Sequence, residues 1–253
     1  MSGHSKWATI KRAKGAADAK RGQVFTKLSR EISFAARQGG DPESNFRLRL
    51  AVQKARDQNM PMDNIERAIK RGAGGGEGQQ VSEFMLEGYG AGGTAILVQI
   101  QTDNRNRTIQ EVRNVFVRHG GNLGESGSVA WQFQSKGVLT VEPDKMNPED
   151  MALFAIDAGA EDVRVEKTYI EVQTQPKQLE AVRQALVGQK WRVVSAELSM
   201  VPTTAVQLEE KAAFQVLKLL DKLEDLDDVQ RVYSNADFSD AVLEKYQSGE
   251  FSK

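Results

Sequence analysis

The sequence predicts an α+β protein, with an N-terminal helical domain followed by two ferredoxin-like α/β sandwich domains, one inserted in the other. Three observations carry this. The hydrophobic period is helical as far as Gly72 and alternating from Val81 onward. Between the two regimes lies GAGGGEG, Gly72 to Gly78, which reads as a linker. From Gly137 the order strand, helix, strand, strand, helix, strand follows, the split arrangement of a ferredoxin-like sandwich. The expected domains are residues 1–78 (basic, all-helical, with its linker), 79–135 joined to 202–253 (a discontinuous α+β domain) and 136–201 (the inserted βαββαβ domain). A chain of 253 residues lies near the length where one core stops growing, which also favours several domains.

Taken in order, residues 24–37 set Val24, Phe25, Leu28, Ile32, Ala35 and Ala36 on one side of a helix, with Lys27, Arg30 and Arg37 opposite. Gly39, Gly40 and Pro42 break it, and a second helical pattern follows with Phe46, Leu48, Leu50, Ala51, Val52 and Ala55. Asp63 and Glu66 have capping-box spacing for a third helix, which Gly72 closes. Val81–Tyr89 and Thr94–Thr102 read as strands, Thr108–His119 as a helix and Ser128–Phe133 as a strand. The inserted pattern comprises strand 138–141, helix 148–158, strands 163–165 and 169–173, helix 178–188 and strand 193–198. Helix 208–223 and strand 229–233 are too few to form a domain and are expected to complete the sheet begun at Val81.

Composition excludes several classes of function. There is no cysteine, so disulfides, thiolate metal sites and cysteine nucleophiles are absent, as suits a reducing cytoplasm. Apolar runs such as Ala95–Val98 fall far short of the roughly 20 residues a membrane helix needs. Only two histidines occur, His4 and His119, neither in a ligand motif. His119 reads as an imidazolium at a helix C-terminus. No acid, base, nucleophile or metal set converges, so the expectation is a non-enzymatic protein without cofactor, metal or small-molecule substrate. GYGAGG, Gly88–Gly93, fits the dinucleotide pattern G-x-G-x-x-G, but it joins two strands where that motif needs a helix N-terminus, so it reads as a hairpin.

Charge is the most informative property. The net charge is −1, yet residues 1–37 hold nine cations against Asp18 and Glu31, a local +7. The candidate nucleic-acid-binding residues are Lys6, Trp7, Lys11, Arg12, Lys14, Lys20, Arg21, Lys27, Arg30 and Arg37. Their cations would displace counterions from phosphates, and Trp7 offers base stacking or anchorage. A secondary candidate is the polar loop with Asn104, Arg105 and Arg107 at a strand end. Its alternative role is a helix cap, from Asn106 or a neighbour, beside solvated arginines. The acidic stretch Glu224, Asp225, Asp227, Asp228 reads as a solvated turn.

The segments GHSKWATIKRAKGAADAKRGQVFTKLSREI from Gly3, EGYGAGGTAILV from Glu87, TDNRNRTIQEVRNVF from Thr102 and GGNLGESGSVAW from Gly120 resemble the YebC/PmpR family, as do AELSMVP from Ala196 and DDVQRVY from Asp227. The resemblance spans nearly the whole chain. It implies a three-domain α+β cytoplasmic protein, usually a DNA-binding transcriptional regulator. Some members resemble ribosome-associated factors that assist translation through proline-rich stretches, and the family includes a mitochondrial translational activator of cytochrome oxidase subunit I. The implied partner is therefore DNA first and ribosomal RNA second. Ala91 stands where proline is common in the family, which bears on the rigidity of that loop.

Overall fold

In the computed structural model of the chain, residues 18–74, 81–143, 147–166 and 168–248 are described. The Gly72–Gly78 linker lies mostly outside them. The chain divides into two compact units, Met1–Phe133 with Pro202–Lys253, and Gln134–Val201.

The first unit begins with three helices, α1 (Asp18–Ala36), α2 (Phe46–Asp57) and α3 (Met62–Ala73). Leu28, Ile32, Leu48, Val52, Ile65 and Ala68 fill the core between them. The Asn45 side chain starts α2, accepting from the Leu48 N–H at 3.0 Å and donating to the carbonyls of Ala35 and Gly39, both at 2.8 Å. The expected capping box at Asp63 does not form. Pro61 occupies the N-cap of α3 with no side-chain cap, which puts Asp63 in the first turn, where its charge suits the helix dipole. Nor does Gly72 close α3. It lies inside the helix where α1 crosses: a Cβ there would sit on the Ser33 carbonyl oxygen and 2.8 Å from the Ala36 Cβ.

A four-stranded sheet follows, with β1 (Ser82–Tyr89), β2 (Ala95–Thr102) and β3 (Asn122–Leu123), and helix α4 (Arg105–Arg118) between β2 and β3. The glycine-rich segment is the β1–β2 hairpin, with Tyr89 paired to Ala95. Gly92 and Gly93 take φ of 67° and 75°, left-handed values that only glycine adopts at little cost. The chain then leaves for the second unit and returns as β8 (Val206–Gln207), α7 (Glu210–Glu224), β9 (Val229–Ser234), β10 (Ala236–Asp237) and α8 (Asp240–Ser248). β9 pairs antiparallel with β2, giving the order β3-β1-β2-β9, while β8 and β10 form a short parallel pair. Ile96, Ile100, Val112, Phe116, Val216 and Leu220 lie in the core shared by sheet, α4 and α7.

The strand expected over Ser128–Phe133 is replaced by a turn and a short 3-10 segment, Ala130–Gln132. The physical reason is a carboxylate brought in from β1. The Glu87 carboxylate accepts the backbone N–H groups of Gly127, Val129 and Ala130 at 2.7, 2.7 and 2.8 Å, so these donors are satisfied by a side chain instead of a ladder.

The second unit holds β4 from Gln134 on (strand Phe133–Val141), α5 (Pro148–Asp157), β5 (Asp162–Val165), β6 (Ile170–Thr174), α6 (Leu179–Gly188) and most of β7 (Val193–Pro202). Its sheet order, β5-β6-β4-β7, is that of a ferredoxin-like sandwich. Leu139, Val141, Met151, Val172, Val182 and Leu186 make its core.

Candidate nucleic-acid interface

The candidate residues divide into three groups. Lys6, Trp7, Lys11, Arg12 and Lys14 lie outside the described residues, and Lys20 and Arg21 fall within α1. Lys27, Arg30 and Arg37 follow on the same helix and beyond its end, and each has an intramolecular partner.

The face of α1 with Lys27 and Arg30, expected to meet nucleic acid, packs against the C-terminal end of α7. Gln23, Lys27 and Arg30 repeat at helical spacing and reach that end together. Gln23 Nε2 donates to the Asp225 carbonyl at 2.6 Å and to Asp227 Oδ1 at 2.9 Å. Lys27 Nζ donates to the Glu224 carbonyl at 2.5 Å. Arg30 Nη1 donates to the Asp227 carbonyl at 2.7 Å and to Asp228 Oδ1 at 2.9 Å. The last carbonyls of a helix have no partner within it and carry partial negative charge, so cations from a neighbouring helix satisfy them. Arg37 donates to the Val81 carbonyl at 2.8 Å, with its guanidinium 5.2 Å from the Phe34 ring centroid.

The acidic stretch is a solvated turn at Asp225 and Asp227, which are exposed, but not at Asp228, which is only 4% exposed. Its Oδ2 accepts from Thr108 Oγ1 at 2.7 Å, Arg107 Nη2 at 2.8 Å and Thr102 Oγ1 at 2.9 Å, while Oδ1 takes Arg30. Burial by itself would raise this carboxyl. The hydrogen bonds from Thr108, Arg107 and Thr102, with the Arg30 charge, outweigh burial and hold it below the usual carboxylate value. Two further acids complete the seam. Glu83 on β1 accepts from Arg47 at 2.7 Å and from Gln99 and Gln101 at 3.0 and 2.9 Å. Glu31 on α1 pairs with Lys54 at 3.0 Å and with Arg231 on β9 at 3.1 Å.

The secondary loop is also built into the fold. Asn104, not Asn106, caps α4, accepting from the Arg107 N–H at 3.1 Å. Arg107 reaches Asp228 and Asp103, and the Arg105 guanidinium lies 4.1 Å from the Phe84 ring centroid. His119 is the C-cap of α4, the helix C-terminal position expected of it. Burial, then the charges of Lys222, Lys218 and Arg118, push its pKa down.

Sequence reasoning missed Asp228, Glu87 and Glu83. Asp228 is separated by 126 positions from Thr102 and by 198 from Arg30, so no local spacing marks it. It also missed Trp131, which is 74% exposed with Nε1 donating to the Ser128 carbonyl at 3.1 Å. Among the described residues no group of His, Asp and Glu side chains could hold a metal ion, and no helix is long and apolar enough to cross a membrane.

Residues 5–75 match the TACO1/YebC protein N-terminal domain, and residues 81–236 match the TACO1/YebC second and third domain. The chain belongs to the TACO1/YebC family. A probable transcriptional regulatory protein of Dehalococcoides mccartyi is 61% identical over 249 residues, covering 98% of this chain and 99% of the relative. One from Chloroflexus aggregans, with the same description, is 52% identical over 98% of this chain and all of its own. The crystal structure of a conserved hypothetical protein from Aquifex aeolicus superposes with a TM-score of 0.82 at 45% identity, covering 88% of this chain and 93% of that one. In this TACO1/YebC chain the seam joins Arg30 and Arg47, within the N-terminal-domain match, to Asp228 and Glu83, within the other match.

Proposed function

We propose that this chain is a non-enzymatic, cytoplasmic regulator of transcription that binds DNA, its phosphates contacted by the basic N-terminal segment. The observation that carries the reading is the +7 charge of residues 1–37 in a chain of net charge −1. Arg30 and Lys27 hold α1 against α7, so the phosphate contacts are assigned to the six cations that precede them: Lys6, Lys11, Arg12, Lys14, Lys20 and Arg21. The relatives' description as probable transcriptional regulatory proteins supports the same reading.

Six phosphate contacts give a slope of log affinity against log salt of roughly −5 for duplex DNA. Fluorescence anisotropy with a labelled duplex reads this directly. Neutralising Lys11, Arg12, Lys14, Lys20 and Arg21 together removes most of the binding; undiminished affinity in that variant overturns the proposal. In cells, crosslinking followed by sequencing of bound DNA and bound RNA separates the partners. Recovery of ribosomal RNA without DNA would replace the transcriptional role with a ribosomal one, read through single-stranded loops and A-form shape.

A further inference from the structure

We propose that the open sheet edge of the second unit is a dimerisation surface, where β5 pairs antiparallel with β5 of a second copy of this chain about a two-fold axis at Val163. This role is separate from nucleic-acid binding and stands whether the partner there is DNA or RNA.

β5 (Asp162–Val165) is the end strand in the order β5-β6-β4-β7. At the hairpin that joins it to β6, the Glu166 N–H donates to the Tyr169 carbonyl at 2.9 Å, and hydrogen-bonded pairs recur at every second residue of an antiparallel ladder. Arg164 therefore exchanges backbone bonds with Glu171, while the N–H and C=O groups of Val163 and Val165 point away from β6. Such an edge is a template for another strand. The charges on β5 repel most strands but match a second copy. With Val163 facing Val163, Asp162 of each copy lies opposite Arg164 of the other, so two opposite-charge pairs form by symmetry. A pairing centred on Arg164 sets like against like, Arg164 facing itself and Asp162 facing Glu166. Within one chain Arg164 Nε donates to Asp162 at 3.1 Å, but its Nη1 is shielded from solvent and has no acceptor among the described residues. The pairing brings a second carboxylate to that guanidinium.

The helix above the edge is apolar on the matching side. α5 packs over β5 and β6, with Met151 and Ala155 fully buried. The Phe154 ring meets Trp191, just beyond the end of α6, edge-on at 5.3 Å, so that flank of α5 faces α6. At 3.6 residues per turn, Ala152 and Ile156 lie on the opposite flank, toward the β5 edge, with Leu153 beside them. Ile156 is 45% exposed, Leu153 66%, and Val165, which shares the core face of the sheet with Ile170, 48%. Asp150 and Asp157 project from the far side of the helix, and Glu149 is two turns, about 10 Å, from Ile156. Strands lie about 4.8 Å apart, so a helix seated between β5 and β6 stands about 5 Å from the new seam and about 10 Å from its copy, the usual packing distance. The two four-stranded sheets become continuous, and the apolar strip of each copy is buried against the other.

Sedimentation equilibrium of the full chain reads the dimer. The surface is small, of the weak class below about 1,200 Å², so micromolar or weaker dissociation is expected and the dimer should grow in with concentration. Asp162→Arg sets like charges opposite twice and should raise the dissociation constant about tenfold or more, as should Arg164→Asp. Mixed together, these two variants are complementary at both pairs and should form heterodimers, and the double exchange Asp162→Arg, Arg164→Asp should restore the homodimer. Leu153→Glu with Ile156→Glu, on the exposed helix flank, leaves the strand intact and should also shift the chain toward monomer. Circular dichroism melts check that each variant is folded, and the helix variant suffices if a strand variant is not. A parent that is monomeric at every concentration overturns the proposal and leaves the edge to a different protein. A dimer that survives these variants has its interface elsewhere and overturns it as well. Loss of the dimer in both single variants without recovery in their mixture overturns the pairing at Val163.

Discussion

Replacing Asp228 by Asn tests the physical account of the seam most directly. The carboxylate is nearly sealed from solvent and accepts four side-chain donors, from Arg30, Thr102, Arg107 and Thr108. An amide of the same shape offers one oxygen and turns an NH2 group toward groups that can only donate or that already donate. Removing one partner from a buried charge network costs about 3–5 kcal/mol, because the remaining groups lose solvent and partner together. For a unit of this size each kcal/mol corresponds to about 2–4 °C, so the melting temperature should fall by about 10 °C. A Trp7→Phe, Trp191→Phe background leaves Trp131 as the sole indole and restricts the fluorescence readout to the first unit. The pH dependence has a definite sign. The folded pKa of Asp228 is depressed, so its stabilisation is present above the unfolded carboxylate value, about 3.9, and is lost as pH falls through the lower folded value. The gap between parent and Asp228→Asn should therefore be full at pH 7 and close in acid. A loss under 2 °C at pH 7, or a gap that does not narrow in acid, would refute the reasoning.

Other perturbations probe separate parts of the structure. Glu87→Gln takes the charge from a 6%-exposed carboxylate whose depressed pKa reflects three backbone donors outweighing burial; a cost of about 2 kcal/mol is expected, read as earlier urea unfolding and faster proteolysis within residues 124–130. Gly72→Ala forces a methyl onto the Ser33 carbonyl and should destabilise by about 1–3 kcal/mol in chemical denaturation, although alanine favours helices; a stabilised variant would show that α1 and α3 do not approach this closely. Asn45→Ala removes the α2 cap and two further hydrogen bonds, for about 1–2 kcal/mol, measured by hydrogen exchange of the Leu48 amide.

The candidate interface was partly legible in the sequence because charge density needs no tertiary knowledge. Which cations are available was not legible. Lys27 and Arg30 read in the sequence as two more cations of the basic segment, yet their partners come from residues 224–228, nearly two hundred positions away. The secondary loop shows the same limit. Cap chemistry at a strand end was readable, but the choice of Asn104, and the commitment of Arg107 to Asp228, depended on where β9 begins.

By itself the sequence determined the α+β class, the helical-to-alternating switch across the glycines, the hairpin reading of GYGAGG and the concentration of positive charge at the N-terminus. All of these rest on period, backbone freedom or composition, which are local. The sequence also led to the return of the strand at 229–233 to the first sheet, but only the tertiary structure decided that its partner is β2, that Glu87 takes the donors of Gly127, Val129 and Ala130 from a strand that never forms, and that Asp228 anchors α1. A buried carboxylate collects whichever donors the fold brings to it, and sequence distance does not limit that choice.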